Sequence, residues 1–244
     1  MIQLRGVGKS FGALRALAPT HLKFPEGKTT ALIGPSGCGK STILRLIIGL
    51  IAPDEGQILI DGEAIEPENL IAKRREMGYV IQEGGLFPHM TAEQNAWIMM
   101  RHIGGETRDC VRRVGELARL TRFPEDALGK YPGELSGGQR QRVGLMRALC
   151  LDPKTLLLDE PLGALDPIVR NELQTELKEI FAKLHKTVIL VTHDMGEAAY
   201  LGDSIVLMKD GQVVQEGTLE DFRTRPASEF VTQFLNAQRS LVTI

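Results

Sequence analysis

Short apolar runs recur along the chain, each closing on a polar side chain, and between them lie longer stretches whose apolar residues fall three or four apart. Residues 29–33, 78–81, 155–158 and 187–192 are apolar or β-branched almost throughout, the pattern of strands buried on both faces of a parallel sheet. Alternation over residues 2–7 and the run 21–24 predict two further strands. Residues 57–60 lead into the tight-turn pair Asp61-Gly62 and predict an antiparallel layer beside the parallel one, while 204–208 and 212–215 flank Asp210-Gly211 as a hairpin.

The helical periods fall between these runs. A helix is predicted over 41–50, and a second opens on the Thr91-x-x-Gln94 capping pattern and runs through Trp97 to Met100. A third covers 107–120 with Val111, Val114, Leu117 and Ala118 on one face. A fourth follows Ser136 through Val143, Met146 and Leu149. Asp166-Pro167 opens a long helix with Leu173, Leu177, Ile180, Phe181 and Leu184 as its buried stripe, and Asp194-x-x-Glu197 a short one. From Thr218 onward the pattern is amphipathic, with Phe222, Phe230, Val231, Phe234 and Leu235 as packing residues. The expected organisation is α/β: residues 1–85 form the first part of a core with its antiparallel layer, 86–150 a mostly helical inserted lobe, and 151–244 the second part of the core with a C-terminal helical segment.

Chemistry concentrates where the buried strands end. After residue 33 come Gly34, Pro35, Ser36, Gly37, Cys38, Gly39, Lys40, Ser41 and Thr42, matching G-x-x-x-x-G-K-[ST] in a strand-loop-helix context, the phosphate loop of a P-loop NTPase core. A phosphate chain needs several inward donors, which successive backbone N–H groups and a helix N-terminus supply; glycines let the backbone come close. Lys40 adds a positive charge for the outer phosphates, and Ser41 a hydroxyl for the magnesium ion bridging them. Asp159 and Glu160 close another buried strand with alternate side-chain directions, so one can hold magnesium through water while the other orients or deprotonates an attacking water. Gln82 and His193 end two more strands at the edge where an open α/β sheet meets its ligand.

Two stretches admit two readings. Leu135-Ser136-Gly137-Gly138-Gln139 satisfies a capping box, yet two glycines weaken a first turn while exposing its N–H groups, as an anion site requires. Phe11, in the glycine-flanked turn 9–12, either stacks on a nucleotide base or packs partly buried.

Composition narrows the class. The 244 residues carry a net charge of −2 with 25% charged residues, and the basic residues are dispersed, which leaves no footprint for nucleic acid. The tight cluster 73–75 reads as a solvated face. Cys38, Cys110 and Cys150 are odd in number and widely spaced, suggesting neither a disulfide framework nor zinc and fitting a reducing compartment. No apolar run approaches the roughly 18 residues of a membrane span, and the N-terminus lacks a signal-peptide profile. Membrane work would need an anchor borrowed from a partner.

Phosphate loop, Gln82, LSGGQ, the strand ending in Asp159-Glu160, and His193 occur in an order that resembles the ATP-binding subunit of ABC transporters, over about residues 1–220. The resemblance implies the ABC ATPase fold, ATP and Mg2+ as ligands, and hydrolysis coupled to transport. It also implies roles: Phe11 on adenine; Lys40 on phosphates; Ser41, Gln82 and Asp159 on magnesium; Glu160 as general base; His193 on the γ-phosphate. Residues 34–42 would cradle the phosphates of one ATP, and Ser136, Gly137, Gly138 and Gln139 would close on an ATP held by a second, head-to-tail copy. Ala164-Leu165-Asp166 resembles the loop across that subunit boundary, with Gly163 where serine is common. The loop 82–90 joins the catalytic edge to the helical lobe and is the place where motion would pass to a permease. The protein would then sit at the cytoplasmic face of the membrane with transmembrane permease subunits and, indirectly, a solute-binding protein.

Tyr79-Val80-Ile81-Gln82 followed by residues 85–91 is similar to importers of osmoprotectants such as glycine betaine, choline or carnitine. Those residues face the permease and record ancestry rather than solute chemistry, so an importer of another small solute, amino acids included, stays open. Many members of that branch carry a C-terminal regulatory domain; the sequence ends at Ile244, and regulation by such a module is not expected. A soluble ABC ATPase acting on DNA or the ribosome would bring a basic patch or tandem cassettes, and neither is visible. A regulatory module without turnover is disfavoured by the presence of both Glu160 and His193.

Overall fold

The computed structural model describes residues 1–82, 84–163 and 165–239. In chain order its regular elements are β1 (Ile2–Phe11), β2 (Leu14–Phe24), β3 (Thr29–Ile33), α1 (Lys40–Ile47), β4 (Glu55–Ile60), β5 (Glu63–Ala64), α2 (Leu70–Arg75), β6 (Met77–Val80), α3 (Ala92–His102), α4 (Thr107–Leu120), α5 (Gly137–Leu149), β7 (Thr155–Asp159), α6 (Pro167–Leu184), β8 (Thr187–Val191), α7 (Met195–Leu201), β9 (Ser204–Lys209), β10 (Gln212–Gly217), α8 (Leu219–Thr224) and α9 (Glu229–Arg239). They fall into two compact units, one made of Met1–Arg74 with the described residues from Lys186 on, the other of Arg75–His185.

In the first unit β3 lies between β8 and β9, parallel to both, and β10 returns antiparallel on β9. All five positions of β3 and of β8 are buried, which is why both read as unbroken apolar runs. The antiparallel layer runs β2-β1-β4-β5. Asp61 and Gly62, both at positive φ, close the β4–β5 hairpin as a two-residue loop of that kind requires.

β1 runs further than the alternation predicts. It continues through Phe11, which pairs with Leu14 across a two-residue loop begun by Gly12 at φ +59°. Register shifts between Leu4 and Val7, Val7 and Lys9, and Lys9 and Ser10 break the period of two and hide the strand's second half. Phe11 is therefore the last residue of a strand rather than a turn residue. The basic cluster 73–75 is likewise not a merely solvated face. Lys73 reaches Glu63 at 2.7 Å, and Arg74 donates to the carbonyls of Ile48 and Gly49 at 2.9 and 2.6 Å, satisfying acceptors that the end of α1 leaves open.

In the second unit β6 and β7 run parallel, with Met77 opposite Thr155 and Val80 opposite Leu158. Gly78 is where the backbone of β6 meets α5: a Cβ there would lie 2.3 Å from the Ala148 carbonyl oxygen. The capping box of α3 forms as its sequence predicts. α4 buries Cys110, Val114, Leu117 and Ala118, whereas Val111 is 46% exposed. The stripe holds at Val114, Leu117 and Ala118 and differs only in its first member, Cys110 in place of Val111, because Cys110 is a small apolar residue that packs as an alanine would. In α6, Leu173, Leu177, Ile180 and Phe181 are buried, and Leu184 in the last turn is half covered.

The C-terminal helices complete the core of the first unit. Phe222 and Val231 are fully buried with Ala31, Ile33, Met195, Ala198, Ile205 and Leu207, and Phe230, Phe234 and Leu235 pack on that cluster. Truncation of Phe222 to alanine is expected to cost about 3–5 kcal/mol. A denaturant midpoint barely shifted from wild type would remove α8 from this core.

Candidate functional site

The phosphate loop leaves β3 in the first unit. Gly34 (φ +142°), Gly37 (φ +78°) and Gly39 (φ +104°) all lie in backbone regions that side chains disfavour. Two of them are also closed in: a Cβ on Gly34 would meet the Met208 carbonyl oxygen at 2.2 Å, and one on Gly39 the Ala16 carbonyl oxygen at 2.6 Å. Pro35, Ser36 and Gly37 form the exposed crest, Cys38 is buried, and Ser41 and Thr42 are half-buried at the start of α1. That helix begins on Gly39 with no side-chain cap and no acidic residue in its first turn. Its leading N–H groups are the donors such a loop turns toward an anion.

Lys40 is only 5% exposed, and its ammonium donates to the carbonyls of Gly34 at 2.7 Å and Pro35 at 3.0 Å, with Cys38 Sγ 3.7 Å away. Burial pushes the Cys38 thiol up, opposed by the Lys40 charge. The loop is tied into one body by its own lysine.

His193 follows β8, whose Val191 is in register with Leu32 of β3, and the Thr192 N–H donates to the Leu32 carbonyl at 3.1 Å. Phosphate loop and His193 therefore leave the same ends of adjacent parallel strands. Contacts on either side hold the His193 segment. Asp194 caps α7 through the Glu197 N–H at 2.9 Å, and Gln238 of α9 donates to the His193 carbonyl at 3.2 Å. Phe11, 48% exposed, lies 5.6 Å from the Lys9 ammonium, three residues before its partner strand's Leu14.

In the second unit, Gln82 and Glu160 emerge beyond the paired ends of β6 and β7, and Gln82 Nε2 donates to Glu160 Oε2 at 3.3 Å. Asp159 is 5% exposed and accepts from Tyr79 Oη at 3.4 Å. The two acids do not simply alternate along one strand. β7 stops at Asp159, and Glu160 takes the left-handed conformation (φ +47°), with its carbonyl accepting from the Gly163 N–H at 3.2 Å. A non-glycine residue there costs about 1–2 kcal/mol. The turn separates a buried carboxylate from a half-exposed one.

Ser136 caps α5: its hydroxyl accepts from the Gln139 N–H at 3.2 Å while Gln139 Oε1 accepts from the Ser136 N–H at 2.9 Å. The glycines after the cap have a packing reason of their own, since a Cβ on Gly138 would lie 2.8 Å from Val169 Cγ1 and one on Gly137 3.2 Å from Leu165 Cδ2. Asp166 caps α6 through the Val169 N–H at 3.1 Å. Ala164, in the loop before it, lies outside the described residues, as does Glu83 after Gln82.

Residues without a sequence signal hold these pieces. Asn95 is completely buried in α3, and its amide bonds Phe87 N–H and the carbonyls of Phe87, Met90 and Thr91 at 2.7–3.1 Å, fixing the loop beyond Gln82. Arg142 forms a bidentate pair with Glu176 at 3.0 and 2.8 Å, joining α5 to α6. Oxygen donors of the kind a magnesium ion takes are present in each unit separately, the Ser41 hydroxyl in the first and the Asp159 carboxylate and Gln82 amide oxygen in the second.

A parallel strand that delivers a glycine-rich loop and a buried lysine into an uncapped helix is the P-loop NTPase arrangement, and comparison with known proteins refines the class. The family model described as ABC transporter matches residues 17–163. The Bacillus subtilis choline transport ATP-binding protein OpuBA is 45% identical over 240 residues, 98% of this chain and 63% of its own length. ATP-binding proteins named for osmoprotectant import, glycine betaine uptake and carnitine transport stand among the relatives at 43–45% identity. The Synechocystis sulfate/thiosulfate import ATP-binding protein CysA is 44% identical over 238 residues, 96% of this chain and 65% of its own. Among solved structures, the dimeric structure of MJ0796, a bacterial ABC transporter cassette, superposes with a TM-score of 0.82 at 34% identity, covering 90% of this chain and 99% of that one. The chain belongs to the ABC transporter family and has its ATPase fold. It spans about 63% of the length of the first two curated relatives it matches.

Gly34→Ala is expected to destabilise the protein by about 2 kcal/mol or more, because a backbone carbonyl blocks the new Cβ. Gly37→Ala, with nothing within 4 Å of its Cβ, should cost only the local strain of roughly 1 kcal/mol. Thermal unfolding of the two variants gives that order, and the reverse order would contradict the loop's packing.

Proposed function

We propose that this protein binds and hydrolyses ATP and powers a membrane importer, as the subunit peripheral to its cytoplasmic face. The observation that carries the reading is Glu160, held in a left-handed turn directly after the buried Asp159, with Gln82 donating to its carboxylate. In this reading the N–H groups of residues 39–42 and the Lys40 ammonium bind the phosphates, and Phe11 stacks on the adenine. Lys40 keeps its loop carbonyls as it turns toward the β- and γ-phosphates. Ser41, Gln82 and Asp159 would hold a magnesium ion, which would supply charge neutralisation to the phosphate oxygens. Gln82 orients a water; Glu160 takes its proton as the oxygen attacks the γ-phosphorus, and the bond to ADP breaks. His193 contacts the γ-phosphate.

Ser136 and the N–H groups of Gly137, Gly138 and Gln139 serve the ATP of a second copy, placed head to tail, with Asp166 at the boundary. The dimeric assembly named for the MJ0796 cassette supports pairing. Contacts that need the γ-phosphate favour the closed pair, and cleavage removes them. No helix among the described residues is long and apolar enough to cross a membrane, so permease subunits would supply the span. The solute proposed is a quaternary amine osmoprotectant such as choline, glycine betaine or carnitine, supported by the solutes for which the relatives are named. The sulfate/thiosulfate relative at 44% identity makes sulfate the necessary control.

Glu160→Gln should bind MgATP as wild type does, lose turnover by about 100-fold or more, and accumulate a dimer in size exclusion. Wild-type turnover would remove Glu160 from the base role. Lys40→Ala should lose nucleotide affinity, and an unchanged Kd would contradict the loop assignment. Uptake of labelled choline against sulfate by vesicles holding the subunit with its co-purifying permease decides the solute.

A further inference from the structure

At its Phe11 end β1 runs past the strand that flanks it on one side. Pairing with β4 stops at Gly8, opposite Glu55, while Lys9, Ser10 and Phe11 pair onward with Leu17, Arg15 and Leu14 of β2. Register shifts on either side of Lys9 weaken even that remaining ladder. Asp54, the residue before β4, takes the open side. Its N–H donates to the Gly8 carbonyl at 2.9 Å, and its carboxylate reaches further along β1. There Oδ1 accepts from the Lys9 ammonium at 2.6 Å and Oδ2 from the Ser10 N–H at 2.7 Å. Lys9 first, and then the Ser10 N–H, hold this carboxyl below the usual carboxylate range. Glu55 adds a second strap. It pairs with Arg15 of β2 at 2.8 Å across β1, and Gly8 leaves it room, since a Cβ there would fall 2.3 Å from Glu55 Oε1. The backbone held this closely ends in a half-exposed ring, that of Phe11, with the bound Lys9 ammonium 5.6 Å from its centroid.

We infer that Asp54 is a positioning residue for Phe11, fixing the end of β1 so that the ring is held ready for a nucleotide base. An aromatic at the tip of a hairpin with one bulged ladder would otherwise sample several orientations, and binding would bear the entropy of stilling it. With both carboxylate oxygens engaged, that ordering is complete before a ligand arrives. Lys9, kept in place by the same carboxylate, lies within cation–π range of the ring and gives it a second fixed neighbour. None of these contacts involves residues 34–42, so the effect falls on the base and not on the phosphates. The inference rests on the reading given above of Phe11 as the residue that stacks on adenine.

The test sets MgATP beside magnesium tripolyphosphate, which offers phosphates without a base, in titrations of the full chain. Asp54→Ala should raise Kd for MgATP about fivefold, the scale of ordering one side chain on binding, while Kd for tripolyphosphate stays within about twofold. Asp54→Asn, which keeps an acceptor for the Ser10 N–H and loses the charge facing Lys9, should fall between. In turnover the loss should appear in KM, with kcat at saturating ATP within about twofold of wild type. Combined with Phe11→Ala, Asp54→Ala should bind MgATP no more weakly than Phe11→Ala alone, since both changes remove the same stacking. If Asp54→Ala does not fold, Lys9→Met removes the same ion pair from the other side and should show the same split between the two ligands. An unchanged Kd for MgATP in the Asp54 variants, equal weakening of both ligands, or costs that multiply in the double variant would overturn the inference. Wild-type affinity for MgATP in Phe11→Ala would overturn the stacking reading and the inference with it, whereas a weakened Phe11→Ala beside an unaffected Asp54→Ala sinks the inference alone.

Discussion

A cation taken out of water must find oxygen nearby, and this requirement fixes both units at their working ends. Lys40 meets it with two carbonyls of its own loop, so the loop's shape is closed by the charge it will present. Arg147 meets it with two carbonyls of the segment after Gln82, and Arg142 with the Glu176 carboxylate. In each case the partners are backbone or buried groups that cannot drift. Positive charge here acts as mortar before it acts on any ligand.

Backbone strain is placed just as selectively. The left-handed residues that are not glycine include Asp61 and Asp210 in two-residue hairpin loops, where aspartate tolerates the conformation, and Glu160, where nothing in the turn alone asks for glutamate. Strain of this kind persists only when the surroundings impose it and collects at functional positions. Its effect is to take the second acid out of the strand's pleat, so that two neighbouring carboxylates meet different surroundings, one buried beside Tyr79 and one within reach of Gln82.

Much of the fold was legible because its signals are local. Strands buried on both faces announce themselves as unbroken apolar runs, and the boxes at Thr91 and Ser136 and the cap at Asp166 lie within three residues of what they satisfy. What escaped the sequence is long-range. α2 has no buried residue and hence no stripe, and Arg74 finds its partners 25 and 26 positions away. Asn95 interrupts an apolar face with a polar residue that only the folded loop satisfies, and Arg147 reads as an ordinary last-turn cation until Gly84 and Gly85 arrive beside it. The second half of β1 was masked by its bulges, and Gly138 by a helix start that explains it only in part.

The cap at Ser136 has one more consequence. Its hydroxyl already accepts from the Gln139 N–H and the Gln139 side chain from the Ser136 N–H, so α5 carries a stand-in for the anion it is proposed to receive. An arriving phosphate must compete with this resident pair, whose bonds are worth about 1 kcal/mol. On the proposed reading, affinity at that end would be discounted roughly fivefold, a threshold that would keep weaker anions out and let the helix shut its own door once the visitor had been cut in two.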